Sequence, residues 1–598
     1  MLVDDYHDIH QVRNPTDQNL SNVAHMATTM INTSNIPPIP FFSTLNEPIH
    51  NPLNIDVDLL IWTLQFDYFS RLEVSYTENK TSWFCVSNNT NLNEDELISS
   101  LTVHSYEPEF QEVHPEKKQM DSVKLVDFVS QELKSLDDYL QAITPFIELP
   151  VMNNYLSNYV IPVPADYPGQ YFIRKAITLK RRYGNSASTI SNKVLHLVPL
   201  LGPLHVSLNT RETLVKIYHP FFNLLYREIF QKKKNLPIKP QPWLINIILY
   251  LAYSGWVIIR KYVLEKFKLS KNIEYQIFLD LLDNAVPASL DVYAILFREG
   301  HFEQYIETIF RLWTFMKRFE RKNYDKIMIA FLSDIFYWQS IDHPIYNIFQ
   351  DHLTEFNEYF VENFHSLIRR STVRKQFNPE GLRRDAINVD NNRHNAEFIK
   401  PFLLGKKYPY KKKKIDAMVK KSALFLLDFF QKILENSNNI NVPTGKKSLY
   451  SLATFNMEIT MKALPSGYHT TNPPKHKTFC DFESCNNNKK EINDCVLICG
   501  HAYHYECFQK LDFKCKYCLQ YFINGIQVLG NSYNERLDNI KNTSIFDDDD
   551  DDDLAEDENE LDNVSLNDFG NTMNIDRNLD QKLNIEIYKF QHLVSNFN

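Results

Sequence analysis

Cysteine is almost absent from most of this chain. Only one of eight, Cys85, lies outside residues 480–518. That distribution excludes a disulfide framework spread over the fold and points to a reducing, intracellular compartment, nuclear or cytoplasmic. No positively charged, apolar leader opens the sequence, so a secretory signal is not expected. Long hydrophobic runs are missing too. The most apolar stretch, Leu244–Ile259, is interrupted by Asn246, Tyr250, Tyr253, Ser254 and Gly255. It falls short of the roughly 20 residues that span a bilayer and reads as a buried helix, with no membrane partner. Glycine is scarce, at 13 in 598 residues, against abundant Asn, Ile, Lys, Phe and Tyr. An AT-rich coding sequence produces that bias, so no chemistry is read from it. Basic residues vanish from 547–562, which hold twelve acids. The net charge of −10 therefore belongs to a tail, and the rest of the chain carries +2. Within it the seven aspartates Asp547–Asp553 bury nothing and predict a disordered, solvated segment.

What is present is enough apolar surface for a large core: 43% hydrophobic and 13% aromatic residues. The expected class is mixed α/β, predominantly helical. Leu2-Val3 before Asp4-Asp5 reads as the tail of a strand that delivers carboxylates to its end. Only three residues precede those acids, so the start reads as truncated. Asp56–Tyr76 has helical spacing, and Ser122–Ile147 reads as a helix capped near Asp121. Tyr159–Val163 forms a short strand stopped by Pro164, with Asp166 just beyond its end. Val194–Leu208 reads as strand, turn, strand around Gly202-Pro203. From Arg211 to Phe360 apolar residues recur at three and four, the pattern of packed helices. Glu362 and His365 in EYFVENFHSLIRR share a helix face. Lys406–Lys421 holds eight lysines and offers a contact for nucleic acid, or a solvated face. Leu579–Val594 reads as a short final helix.

The cysteine-rich segment carries the strongest chemistry. In order, its donors are Cys480, Cys485, Cys499, His501, His504, Cys507, Cys515 and Cys518, which is enough for two tetrahedral zinc ions with no open position. Cys515-Lys516-Tyr517-Cys518 and Cys499-Gly500-His501 are tight knuckles, and Gly500 is free to take a positive φ. The spacing resembles a two-histidine RING finger. That resemblance implies interleaved ligation, with Cys480, Cys485, His504 and Cys507 on one zinc and Cys499, His501, Cys515 and Cys518 on the other. Cys495 is left over. RING fingers of this kind recruit a ubiquitin-conjugating enzyme through apolar side chains. Here Ser484, Leu511 and Lys516 stand where the usual aliphatic, tryptophan and proline would, and no arginine follows Cys518. Leu497, Ile498 and Phe508 remain as a candidate apolar patch.

The segments DDYHDIHQVRNP, VIPVPADYPGQYFIRKAI, LLGPLHVSLNTRET, LDVYAILFREGHFEQYIETIFRLW, RKNYDK and EYFVENFHSLIRR resemble a large, multicopy, uncharacterised transposase-like family of fungi derived from mobile elements. The resemblance covers roughly residues 1–435. It implies a divergent RNase H-like core with a large helical insertion and a set of carboxylates that holds two divalent ions, Mg²⁺ or Mn²⁺. The matching positions are Asp4 or Asp5, Asp166 and Glu362. The expected organisation is a body over 1–435, a linker over 436–478, a RING-like zinc finger over 479–526 and an acidic tail over 527–598. The expected function is a zinc-binding interaction module on a mobile-element-derived body that has lost its transposase chemistry. The alternatives are a RING-type ubiquitin ligase and a divalent-metal-dependent DNA strand-transferase or nuclease.

Overall fold

Strands come first in the chain, and β-pairing places Leu2, Tyr6, Met26 and Met30 in one apolar cluster. The computed structural model describes residues 1–16, 19–33, 36–79, 123–230, 235–371, 378–393, 395, 398, 412–436, 448–487, 490–491, 493–539 and 575–593. Strand β1 (Leu2–Thr16) pairs antiparallel with β2 (Asn19–Asn32), and Asp4 lies opposite Thr28. Beyond the two-residue strand Ile39–Pro40 comes helix α1 (Val57–Asp67). Strand β3 (Val123–Ser130) then pairs antiparallel with β2. Helix α2 (Leu136–Ile147) follows, opened by a capping box between Ser135 and Asp138. Strand β4 (Tyr159–Ala165) runs into helix α3 (Tyr167–Tyr183). Strand β5 (Leu197–Leu201) lies parallel to β4, with Ala165 opposite Leu201. The first and second halves of this strand set meet where β1 lies beside β4, and the Met1 ammonium donates to the Pro162 carbonyl at 2.9 Å. Two three-stranded sheets result, with the order β3, β2, β1 in one and Ile39–Pro40, β4, β5 in the other.

Period-two alternation decides what each β1 side chain can reach. Leu2 and Tyr6 point into an apolar cluster formed with α11 (Tyr359–Ser371) and α12 (Pro379–Asn392). Val3 points to the opposite face, into the main core. Asp4 thus shares the α11 face, and Asp5 does not.

Between β5 and α11 lies a helical insertion. It comprises α4 (Pro203–Ile217), α5 (His219–Phe230), α6 (Pro242–Phe267), α7 (Ile273–Asp280), α8 (Phe302–Phe319), α9 (Tyr324–Ser340) and α10 (Pro344–His352). Its aromatic residues form the bulk of the core. Leu244–Phe267 within α6 is long and apolar enough to cross a membrane by length and composition, but 67% of its most apolar window is buried inside the protein. It packs chiefly on α13 (Lys412–Glu435).

The apolar core does not stop at residue 435. A hairpin of β6 (Leu449–Leu452) and β7 (Met457–Thr460) precedes the cysteine-rich module and buries Tyr450, Leu452 and Ile459 in the same cluster. Helix α14 (Lys516–Asp538) leaves the module and runs along α1, α3 and α9. The boundary expected at 526 falls inside this helix. Its close approach needs small residues: a side chain at Gly530 would come within 2.7 Å of Val57, and one at Gly525 within 2.9 Å of Lys317. The last helix, α15 (Ile575–His592), packs on α13 and α6, and Asp580 pairs with Lys420 at 2.8 Å.

Two local expectations are corrected. Val123–Ser130 is a strand, because pairing with β2 outweighs a helical reading of the same apolar residues. The second half of Val194–Leu208 is the start of α4, where Pro203 takes the first helical position. Of the lysine-rich run, 412–421 begin α13, whereas 406–411 lie outside the described residues, as do Cys85 and Asp547–Asp553.

Candidate metal centres

A two-stranded hairpin, β8 (Cys495–Val496) with β9 (Ala502–Tyr503), holds Cys499 and His501 in its turn. Gly500 between them has φ +92°, which side chains disfavour. Gly467 is as constrained: a Cβ there would lie 2.4 Å from the Cys499 carbonyl oxygen. The buried carboxylate of Asp481 fixes the module from within, accepting from the backbone N–H of Ala502 and of Lys475, each at 2.7 Å. Lys271, just before α7, donates to the same carboxylate at 2.9 Å and so ties the module to the body.

Four donors meet at each of two points. Cys480, Cys485, His504 and Cys507 form one group, and Cys499, His501, Cys515 and Cys518 the other. Within each, all donor atoms lie within 4.8 Å of one another. These are the groups the interleaved order pairs. Nδ1 of His501 is 3.5, 3.4 and 3.7 Å from the sulfurs of Cys499, Cys515 and Cys518, and Nδ1 of His504 is 3.2 Å from Cys485 Sγ. Tetrahedral zinc with bonds of about 2.0–2.3 Å needs donor separations of about 3.5 Å. Nε2 of His501 donates to the Asn472 carbonyl at 3.0 Å, which leaves Nδ1 as the donor atom for a metal. His504 Nε2 faces Asp494 at 3.8 Å. All seven cysteines here are free of disulfides, and burial pushes the Cys499 thiol well up. Such a nest of buried thiols fits a metal that displaces their protons. Both clusters can hold a metal ion such as zinc. Cys495 belongs to neither, with its sulfur 3.8 Å from the Tyr503 carbonyl.

The residues expected to form an apolar recruitment patch are turned elsewhere. Leu497 is buried, and Ile498 lines a small cavity of about 30 Å³ against Phe69, Arg311, Arg318 and Phe522 of the body and α14. Phe508 lies against Tyr503 with ring centroids 5.4 Å apart.

The acids behave differently. Asp4 stands on β1. Asp166 follows β4 and caps α3, its Oδ1 accepting the Gly169 N–H at 2.9 Å. Glu362 lies in the first turn of α11. The fold makes these three electrostatic neighbours. Burial, then the Glu362 and Asp166 charges, hold the Asp4 carboxyl well above the usual range. Burial also raises Asp166. It acts upward on Glu362 too, but His205, His365 and Arg369 outweigh it and hold that carboxyl well below. Asp5 is excluded. It points to the other face and pairs with His25 Nδ1 at 2.9 Å.

Four residues of this cluster had no role assigned to them from the sequence, although His205 stood out as a possible site residue. His205 in the first turn of α4 contacts Glu358 through Nδ1 at 3.2 Å and Glu362 through Nε2 at 3.5 Å. Its backbone N–H also donates to Glu358 at 3.0 Å, so Glu358 caps α4 from a distant segment. Gly202 makes room for this, because a Cβ there would lie 2.2 Å from Glu358 Oε1. Arg369 lies 3.9 Å from Glu362, and Thr28 meets His365 at 2.8 Å. The one available signal was Gly202-Pro203 after an apolar strand, which places residue 205 in a helix's first turn.

The chain is thus a mixed α/β, mostly helical protein with two Cys/His clusters compatible with zinc and a third cluster of half-buried carboxylates and imidazoles. No protein-family model, curated protein or solved structure matches it.

Proposed function

We propose that the chain is a divalent-metal-dependent phosphoryl-transfer protein acting on DNA, with Asp4, Asp166 and Glu362 as its acids and the zinc module as a structural part. One observation carries this reading: Asp4 on β1 and Glu362 on α11, far apart in sequence, bring carboxylate oxygens within 4.8 Å of each other, and the charge of Asp166 at the end of β4 acts on Asp4. The meeting of β1 with β4 where the two sheets adjoin, and a helical insertion before the glutamate, support the reading of a divergent RNase H-like core. The resemblance to mobile-element-derived proteins supplies DNA as the substrate class.

The donor set fits a hard divalent ion, and Oδ2 of Asp4 is buried without a hydrogen-bond donor. Ions held there would activate an attacking water or hydroxyl and stabilise the leaving oxygen. The protein's own part is placement. Glu358 and His205 fix the first turn of α11, and Gly202 donates its N–H to the Ala165 carbonyl at 2.9 Å, joining that turn to the strand end that carries Asp166. The test is cleavage or strand transfer of labelled DNA with Mn²⁺ or Mg²⁺. Activity abolished by Glu362→Gln supports the reading. Inactivity of wild type with both ions, or activity unaltered by the substitution, overturns it.

A second reading rests on Tyr505 and Phe513, whose rings lie 5.8 Å apart on the module and are 46% and 44% exposed. They suit a protein partner, and a ubiquitin-conjugating enzyme is the concrete case. Ubiquitin chains formed in a reconstituted reaction and lost on Phe513→Ala support it; silence with a panel of conjugating enzymes sinks it.

A further inference from the structure

The Asp4–Glu362 cluster includes a nitrogen that the carboxylate reading leaves out. His365 lies one turn after Glu362 and is 1% exposed. Its Nδ1, a carboxylate oxygen of Asp4 and one of Glu362 lie within 4.8 Å of one another, and Nδ1 is 3.8 Å from Asp4 Oδ2. Separations of this size suit donors that share one ion.

The ring is held from behind. Nε2 of His365 meets Thr28 Oγ1 at 2.8 Å, and Thr28 is the residue directly across from Asp4 in the β1–β2 register. The Thr28 hydroxyl donates to the Met26 carbonyl at 3.4 Å. The Nε2–Thr28 contact fixes the ring so that Nδ1 faces the two carboxylates. Tyr6 holds the plane of the ring edge-on, with centroids 5.2 Å apart. Metal-bound histidines are fixed in this way, with the second ring nitrogen hydrogen-bonded to a neighbour. Oδ2 of Asp4 is buried and has no hydrogen-bond donor. Nδ1 and the two carboxylates thus converge on one point, an arrangement that suits a shared cation.

We propose that His365 completes the Asp4–Glu362 cluster as a nitrogen ligand, so that the site takes a transition ion such as Mn²⁺ in preference to Mg²⁺. The inference rests on the reading that this cluster holds a divalent ion. Imidazole is a good ligand for first-row transition ions and a poor one for Mg²⁺, which keeps to oxygen.

The experiment titrates Mn²⁺ into the full chain with its zinc retained and records pulsed electron paramagnetic resonance of the bound ion. Nitrogen-14 modulation from a directly bound imidazole is expected. His365→Gln removes it and weakens Mn²⁺ binding roughly tenfold or more, while Mg²⁺ binding, read by competition, changes less than about threefold. Thr28→Val, which frees the ring, weakens Mn²⁺ binding severalfold. Glu362→Gln removes the binding of both ions and the modulation, which separates this site from the module's histidines. Bound Mn²⁺ without nitrogen modulation in wild type overturns the proposal, whether or not the variants fold. Equal losses of Mn²⁺ and Mg²⁺ binding in His365→Gln overturn it too, and show His365 to be packing or a proton carrier. Unchanged binding of both ions to Glu362→Gln instead overturns the phosphoryl-transfer reading itself.

Discussion

The Cys/His module draws eight donors from 39 consecutive residues, whereas Asp4, Asp166 and Glu362 come from segments far apart in the chain. The two regions therefore stand in opposite relations to a metal. In the module, short strands and turns of a few residues carry the donors, and the buried thiols have little else to hold them. An ion there is part of the folding free energy. In the carboxylate cluster the sheet, α4 and α11 are assembled by their own apolar contacts. The fold itself holds the acids close, with burial and the neighbouring acidic charges raising the Asp4 carboxyl and the cations around Glu362 holding that one down. Removing a donor should accordingly wreck the first region and relax the second.

The largest expected effect is at Cys515. Cys515→Ser takes a donor from the second Cys/His group at the residue that opens α14, whose backbone N–H is held by the half-buried carboxylate of Glu73 at 2.9 Å. Because α14 packs along α1, α3 and α9, the damage is not confined to the module. Zinc content measured by native mass spectrometry should fall by one ion per chain, and stability should fall by more than about 4 kcal/mol in urea unfolding. A variant that loses one zinc yet unfolds like wild type would show the module to be an appendage, and the contrast between the regions would break.

A smaller effect, in the other region, comes from Gly202. In Gly202→Ala the new Cβ would lie 2.2 Å from Glu358 Oε1 and 2.6 Å from the Ala165 carbonyl. Either the strand-end junction or the Glu358–His205 contact must shift. A cost of about 1–3 kcal/mol is expected, with zinc content unchanged and Mn²⁺ affinity reduced. Loss of zinc in this variant would mean that the two regions are coupled.

The same contrast explains what the sequence could reveal. The sulfur and imidazole donors stand out because each knuckle is a local pattern, such as Cys515 to Cys518, that needs no knowledge of the fold. The acids at 4, 166 and 362 could each be placed at a strand end or on a helix, but only resemblance joined them into one site, and spacing did not choose between Asp4 and Asp5. That choice depends on which face of β1 meets α11, a fact set by Leu2 and Tyr6 packing against Phe360 and Phe364. The partnership of His205 and Glu358 was invisible for the same reason: it joins the first turn of α4 to the chain just before α11. The strand at Val123–Ser130 was missed because β2, its partner, lies about a hundred residues earlier. Its apolar residues suit a helix equally well until that partner is known.

The last prediction is the smallest in size and opposite in sign. Burial and the charges of Glu362 and Asp166 raise the Asp4 carboxyl well above its value in the unfolded chain. Between the unfolded value, about 3.9, and the raised one, the folded protein binds more protons than the unfolded chain. Stability therefore falls as pH rises through that window, and the penalty persists above it. Asp4→Asn cannot ionise and escapes the penalty. In the absence of divalent ions the variant should be more stable than wild type at pH 7 by about 1–2 kcal/mol, with the gain fading towards pH 4. Added Mn²⁺ should reverse the order, because it stabilises wild type and finds no site in the variant. Urea unfolding at several pH values, with and without Mn²⁺, measures both terms. If Asp4→Asn is the less stable protein at pH 7 without metal, the cluster is an ordinary hydrogen-bonded core, and the strain that distinguishes it from the zinc module does not exist.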